Sequence, residues 1–167
     1  MKELLIKLNA CDEAKEWAAD KTWEEVYNTC HRGDWLLWLF KRTNPNDLQL
    51  LTLAKGHCAN TVRHLMTDER STKAVDASIA FGEGEISREE LDIAAKAAAR
   101  AAARAAYDAY AARASAAAWA DAAAVDAAYA DAAAVDAAVD AAREENQQLT
   151  ANICRKYLPI EVWNIKP

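Results

Sequence analysis

Alanine limits what this chain can become more than any other feature. Between Ala94 and Ala142, 31 of 49 residues are alanine, and no glycine or proline occurs between Gly84 and Pro159. Alanine has the highest helix propensity, while glycine and proline are the usual interrupters. Helix is therefore the expected state of this stretch. One rod from Arg88 to Leu158 would measure about 105 Å, too long for a chain whose other half needs something to pack against. The sequence thus predicts a turn at Ala111 to Ala118, which includes Ser115, and an alanine-rich helical hairpin over 87–158. Ser87-Arg88-Glu89-Glu90 supplies a capping box at its start.

Charge along the tract agrees with a hairpin. Lys96, Arg100 and Arg104 form an i, i+4 stripe joined by Arg113, whereas Asp121, Asp126, Asp131, Asp136 and Asp140 follow with no basic residue between Ala114 and Ala142. Basic residues early and acidic residues late oppose the dipole of one helix but complement each other across two. Trp119–Ala128 is repeated as Tyr129–Ala138 with only the aromatic changed. A ten-residue period drifts about 80° around a helix per repeat, so these carboxylates do not line one face. No threonine lies between Thr72 and Thr150, which rules out the regularly spaced threonines of ice-binding alanine helices. Small side chains bury little area per contact, so the thinly anchored Ala116–Ala142 segment predicts completion by a second copy, a homodimer.

The first 86 residues read as short helices. Asn9 is placed to cap one carrying Ala10, Cys11, Ala14, Trp17 and Ala18. Thr22-Trp23-Glu24-Glu25 is a capping box for Trp23, Val26, Tyr27 and Cys30, ending near Gly33. Asp34 then caps the apolar run Trp35–Phe40, which Lys41 and Arg42 close. A helix over Asn46–Met66, bent or interrupted at Gly56, and another over Thr72–Phe81, ending in Gly82-Glu83-Gly84, follow. Strand content near zero is expected, with residues 1–8 the one stretch open to an extended conformation. Trp17, Trp23, Leu37, Trp38, Leu51 and Leu65 are the expected core, covered by the alanine-rich helices, and 159–167 forms a C-terminal tail. With 4 glycines and 3 prolines, a sandwich or barrel is disfavoured. The expected fold is all-α: one domain over 1–167, a helical bundle or short helical array.

Several function classes are expected to be absent. No run approaches the 18 apolar residues of a membrane span, and Met1–Leu8 is too short and charged for a signal peptide. A cytoplasmic protein is expected. A net charge of -6 argues against nucleic-acid binding. Cys11, Cys30, Cys58 and Cys154 include no C-x-x-C pair, so free buried thiols are expected. Cys30-His31 and His57-Cys58 with His64 are the metal alternative, but adjacent ligands on a helix point about 100° apart. No catalytic residue, metal or cofactor is expected. The candidate partner-binding residues are Asn44 and Asn46 in one loop and Glu83 and Glu85 in another, since loops concentrate binding residues. Lys96, Arg100 and Arg104 are the alternative, a grip on phosphate.

The pattern Ala10-Cys11-Asp12-Glu13-Ala14, Glu16-Trp17, Trp23, and then Cys30-His31-Arg32-Gly33-Asp34-Trp35-Leu36-Leu37-Trp38-Leu39 resembles a predicted immunity-protein family of bacterial polymorphic-toxin systems. Gly84–Leu91, the alanine-rich helix after it and the small C-terminal cap resemble it too, so the likeness covers most of the chain in order. The block Arg32–Leu39 is its most specific part. Similar small proteins also look at home in phage genomes. The resemblance implies an all-helical, non-enzymatic protein that binds and inhibits a toxin or defence enzyme, without implying particular contact residues. The other reading is a phage-type pocket protein that sequesters a small phosphate-bearing nucleotide ligand. All elements read here are helical, so far-ultraviolet circular dichroism should show helix with negligible sheet; a substantial sheet component would overturn the fold reading.

Overall fold

The computed structural model describes residues 1–66, 68–117 and 144–165, with backbone only at 65, 101, 102 and 105–117. Every regular element among them is helical. In chain order these are α1 (Lys2–Lys7), α2 (Asp12–Trp17), α3 (Trp23–Thr29), α4 (Gly33–Thr43), α5 (Leu48–Asn60), α6 (Glu69–Glu83) and α7 (Arg88–Ala117). Residues 144–157 form α8. Single 3₁₀ turns occupy Arg63–Leu65 and Ile160–Val162.

The helix starts follow local chemistry, with some shifts from expectation. Thr22 Oγ1 accepts from Glu25 N at 3.2 Å while Glu25 Oε2 accepts from Thr22 N at 2.7 Å, completing the first capping box. Ser87 and Glu90 form the second in the same way. Asp68 caps α6, which ends on Gly84 in the left-handed conformation (φ 81°). Residues 2–7 are helical rather than extended. Cys11, not Asn9, precedes α2 at the N-cap; Asn9 takes φ 56°, turning the chain between α1 and α2. At the start of α4, Arg32 is the N-cap and Asp34 lies in the first turn.

Three glycines act by permitting close approach. Helix α5 is not interrupted at Gly56, and α6 lies directly on it there: a Cβ would sit 2.9 Å from Ile79 Cγ1. At Gly33 a Cβ would lie 2.6 Å from the Thr150 carbonyl carbon and 2.7 Å from Ala151 N. Helix α4 therefore packs backbone-to-backbone on α8. Gly82 approaches Leu53 similarly. The pairs 53/82 and 56/79 set α5 and α6 antiparallel.

The main core joins α1–α5 to α8 and the residues after it. Ala151, Cys154 and Leu158 are fully buried, as are Phe40 and Ala54. Residues 151–158 thus sit at the centre of the core, and Trp163, within the segment expected as a tail, is buried as well. Trp163 packs tilted against Trp23 (4.8 Å between centroids) and edge-to-face with Phe40 (5.0 Å) and Tyr27 (6.3 Å), and its indole N–H donates to Leu158 O at 2.9 Å. Arg155 donates from Nε to Tyr27 O at 2.7 Å and also binds Cys30 O, satisfying carbonyls at the end of α3 with a cation at the negative pole of that helix.

The expected core is corrected accordingly. Leu51 is buried, but Trp17, Trp23, Leu37 and Trp38 are only half-buried at the core margin. On α4 the buried stripe is Gly33, Leu36, Leu39 and Phe40, a helical face that leaves Leu37 and Trp38 to its sides. The Leu65 side chain lies outside the described residues. Among the described residues of the alanine tract, α7 packs on α6, and α6 on α5, outside that cluster. Helix α7 is continuous to Ala117, so the turn expected at Ala111–Ala118 does not fall within 111–117. The rest of the expected hairpin, with the decapeptide repeat and the dimer segment, lies largely outside the described residues.

If the α4–α8 approach requires glycine, Gly33→Ala must push two backbones apart. It should cost about 1–3 kcal/mol, as overpacking does. Urea denaturation checks this, and an unchanged midpoint would overturn the contact.

Candidate functional site

A spacing of four places Ala10, Ala14 and Ala18 along one side of α2 and its flanks, where each is buried. Their small side chains leave room that larger residues would fill. Trp17, Trp35 and Trp38 stand beside them, and Leu5, Val26, Leu36 and Leu39 lie beneath. The result is a cavity of about 430 Å³, within the range of ligand pockets. Its mouth carries Asn9, Cys11, Arg32 and Asp34. The block Arg32–Leu39 thus contributes six residues to the lining: Arg32, Asp34, Trp35, Leu36, Trp38 and Leu39.

The charged groups at the mouth are bonded to each other. Arg32 forks onto Asp34, with Nε–Oδ1 at 2.9 Å and Nη2–Oδ2 at 2.7 Å. Its Nη1 reaches Glu13 Oε1 at 3.4 Å. The hydrogen bond from Arg32 holds the Asp34 carboxyl below its usual range, and Asp34 in turn raises Arg32. Each tryptophan also carries one of the protein's own cations. Lys21 Nζ lies 4.3 Å from the Trp17 ring centre, the Arg32 guanidinium 4.6 Å from Trp35, and that of Arg42 5.6 Å from Trp38. Trp17 and Trp35 meet at 5.9 Å with planes 59° apart, and His31 leans on both. Burial pushes the Cys30 thiol up, away from the thiolate a nucleophile needs.

The sequence-derived site residues separate. Asn44 is 2% exposed. Its amide donates to Val162 O (2.7 Å) and Asp47 Oδ2 (2.9 Å) and accepts from Asn164 N (3.2 Å). It clips the C-terminal segment onto α4 and presents nothing to a partner, because all its polar capacity is used internally. Asn46, Glu83 and Glu85 are exposed. The antiparallel α5–α6 pairing brings their loops to one edge, where a Cβ on Gly84 would sit 3.9 Å from Gln49 Nε2. Lys96, Arg100 and Arg104 are exposed along α7. The groove of about 370 Å³ beside them is lined by Arg70, Lys73, Glu90, Ile93, Ala94 and Ala97, and contains none of the three.

The cysteines and histidines also disperse. Cys30 and Cys154 are buried, Cys58 is half-buried, and Cys11 is exposed at the pocket mouth, a correction to the expectation of four buried thiols. Cys154 donates to Gly33 O at 3.6 Å and Cys58 to Thr150 O at 3.8 Å. His57 stacks on Tyr157, whereas His31 is in the tryptophan cluster. Among the described residues, no group of three or more His, Cys, Asp or Glu side chains could hold a metal ion. No described helix is long and apolar enough to cross a membrane.

No family model, curated protein or solved structure matches this chain.

The pocket itself was foreshadowed only in parts. The 10/14/18 alanine spacing and the Arg32–Leu39 block are visible in sequence, but their meeting across α2 and α4 is not. The locked pair has a pH signature. A carboxyl depressed by folding stabilises the native state above its unfolded value, about 3.9, and that stabilisation is lost as pH falls through the lower folded value. Thermal melts from about pH 5 down to about pH 2 should therefore fall more steeply for the native chain than for Asp34→Asn. Parallel curves would exclude the pair's contribution.

Proposed function

We propose that this is a non-enzymatic binding protein that inhibits a toxin or defence enzyme by direct contact, acting as an immunity or counter-defence protein. The observation that carries the reading is the tryptophan-walled pocket built by the block most like the immunity family. An apolar centre inside a polar rim is the anatomy of a protein-binding hot spot. Arg32 binds both Asp34 and Glu13, and the Cys30 thiol is pushed up by burial. These features suit occupancy rather than chemistry, and inhibition then follows from covering a partner's surface. The exposed edge of Asn46, Glu83 and Glu85 supplies a second contact, its carboxylates suited to steering a basic partner.

The phosphate-sequestering alternative rests on Lys96, Arg100 and Arg104, which lie along α7 and do not line the tryptophan-walled pocket. It is distinguished by the mass retained. Native mass spectrometry of the protein purified from its own host should show a second polypeptide. Ala14→Leu, which fills the pocket, should remove that polypeptide with the thermal midpoint maintained, and Glu83→Lys with Glu85→Lys should weaken its binding. A retained phosphate-bearing small molecule, lost on Arg100→Glu with Arg104→Glu, would replace this reading with the alternative.

A further inference from the structure

The pocket between α2 and α4 has one property that its volume does not convey: it offers no free counter-charge of either sign. Among its lining residues the charged ones are Arg32 and Asp34, and they fork onto each other at 2.9 and 2.7 Å. An entering anion finds the guanidinium engaged by Asp34, with its remaining arm turned to Glu13 at 3.4 Å. An entering cation finds the carboxylate engaged in the same way. The rings offer a cation little either. Aromatic cages bind cations through the negative faces of their rings, but Lys21, Arg32 and Arg42 already lie over Trp17, Trp35 and Trp38. Their like charge opposes another cation.

Desolvating an ion without a compensating partner is costly, so a charged group is rejected. An uncharged ring meets no such cost. It gains burial against Leu36, Leu39 and the three alanines, and edge-to-face or offset contact with tryptophan adds to the area term. Asn9 at the mouth can bond a ring N–H or O–H without demanding a charge.

We infer that this cavity is a selective site for an uncharged aromatic group. On the function proposed above, which supplies the source, that group is an aromatic side chain of the protein partner.

Three probes sharing one ring test the inference: indole, tryptamine and indole-3-acetate, titrated onto the full chain at pH 7. Binding is read from the indole N–H resonances of the protein's tryptophans. Indole should bind about tenfold or more tightly than either ion, since the ions lose solvation without a partner. Ala14→Leu should abolish indole binding. A second variant covers the case in which that one fails to fold. Arg32→Gln leaves Asp34 without its partner, so tryptamine should then overtake indole, a reversal that loss of packing would not produce.

Tryptamine or indole-3-acetate binding the native chain as tightly as indole would overturn the inference. So would an unchanged preference in Arg32→Gln. The functional reading fails separately, if a co-purifying polypeptide stays bound to an Ala14→Leu protein that has lost indole.

Discussion

The closeness of α4 to α8 is the constraint on which the rest of the molecule depends. It joins residues more than a hundred positions apart, and it exists because residue 33 has no side chain to hold the backbones away from each other. With α8 seated there, Ala151, Cys154 and Leu158 fill the centre. Arg155 reaches the end of α3, and the Tyr27 hydroxyl meets the Arg155 and Leu158 carbonyls at 3.1 and 3.3 Å. Trp163 then closes the far side against Trp23 and Phe40. Contacts this distant in sequence cost loop-closure entropy, but that cost grows only logarithmically with the intervening length. A long alanine-rich insertion between α6 and α8 is therefore tolerable.

The pocket is a consequence of this arrangement at the flank of α4, where Leu36 and Leu39 reach from the core into its lining. Gly33, Leu36 and Phe40 turn into the core, which leaves Trp35 and Trp38 on the flank, half-buried and facing α2. Helix α2 meets them with alanines, and the mismatch in size leaves a cavity instead of a packed seam. Such a void forgoes dispersion contacts. It persists because the cluster around it is held by cations over the rings and by the Arg32–Asp34 fork. The same fork that steadies the rim removes its charge from the chemistry available to a ligand.

Asn44 shows how far residue type alone can mislead. An asparagine beside a proline in a connecting segment reads as exposed, and binding residues are common in such places. Here its amide is buried with carbonyl, carboxylate and backbone N–H partners, because the C-terminal segment returns to cover it. Glu83, Glu85 and Asn46 kept their exposure, since nothing in the described chain lies over that edge. The difference lies in what arrives from elsewhere in the chain, which local sequence does not record.

Helical class, the two capping boxes, the αL glycine ending α6 and the cations closing α4 were all readable from residue order. Each depends on interactions within about four residues, where propensity and hydrogen-bond chemistry act directly. The identity of the core was not readable in this way. Trp38 and Leu37 look as buried as Leu36 and Phe40 in a continuous apolar run, and only the direction from which α8 approaches separates them. Gly56 reads as a possible break in local order, and only α6 laid against it makes it a contact surface. The pocket likewise required α2 and α4 to meet at a given spacing and angle. Local order sets which elements form; packing between distant elements sets which faces they bury, and a site made of two such faces exists only once they have met.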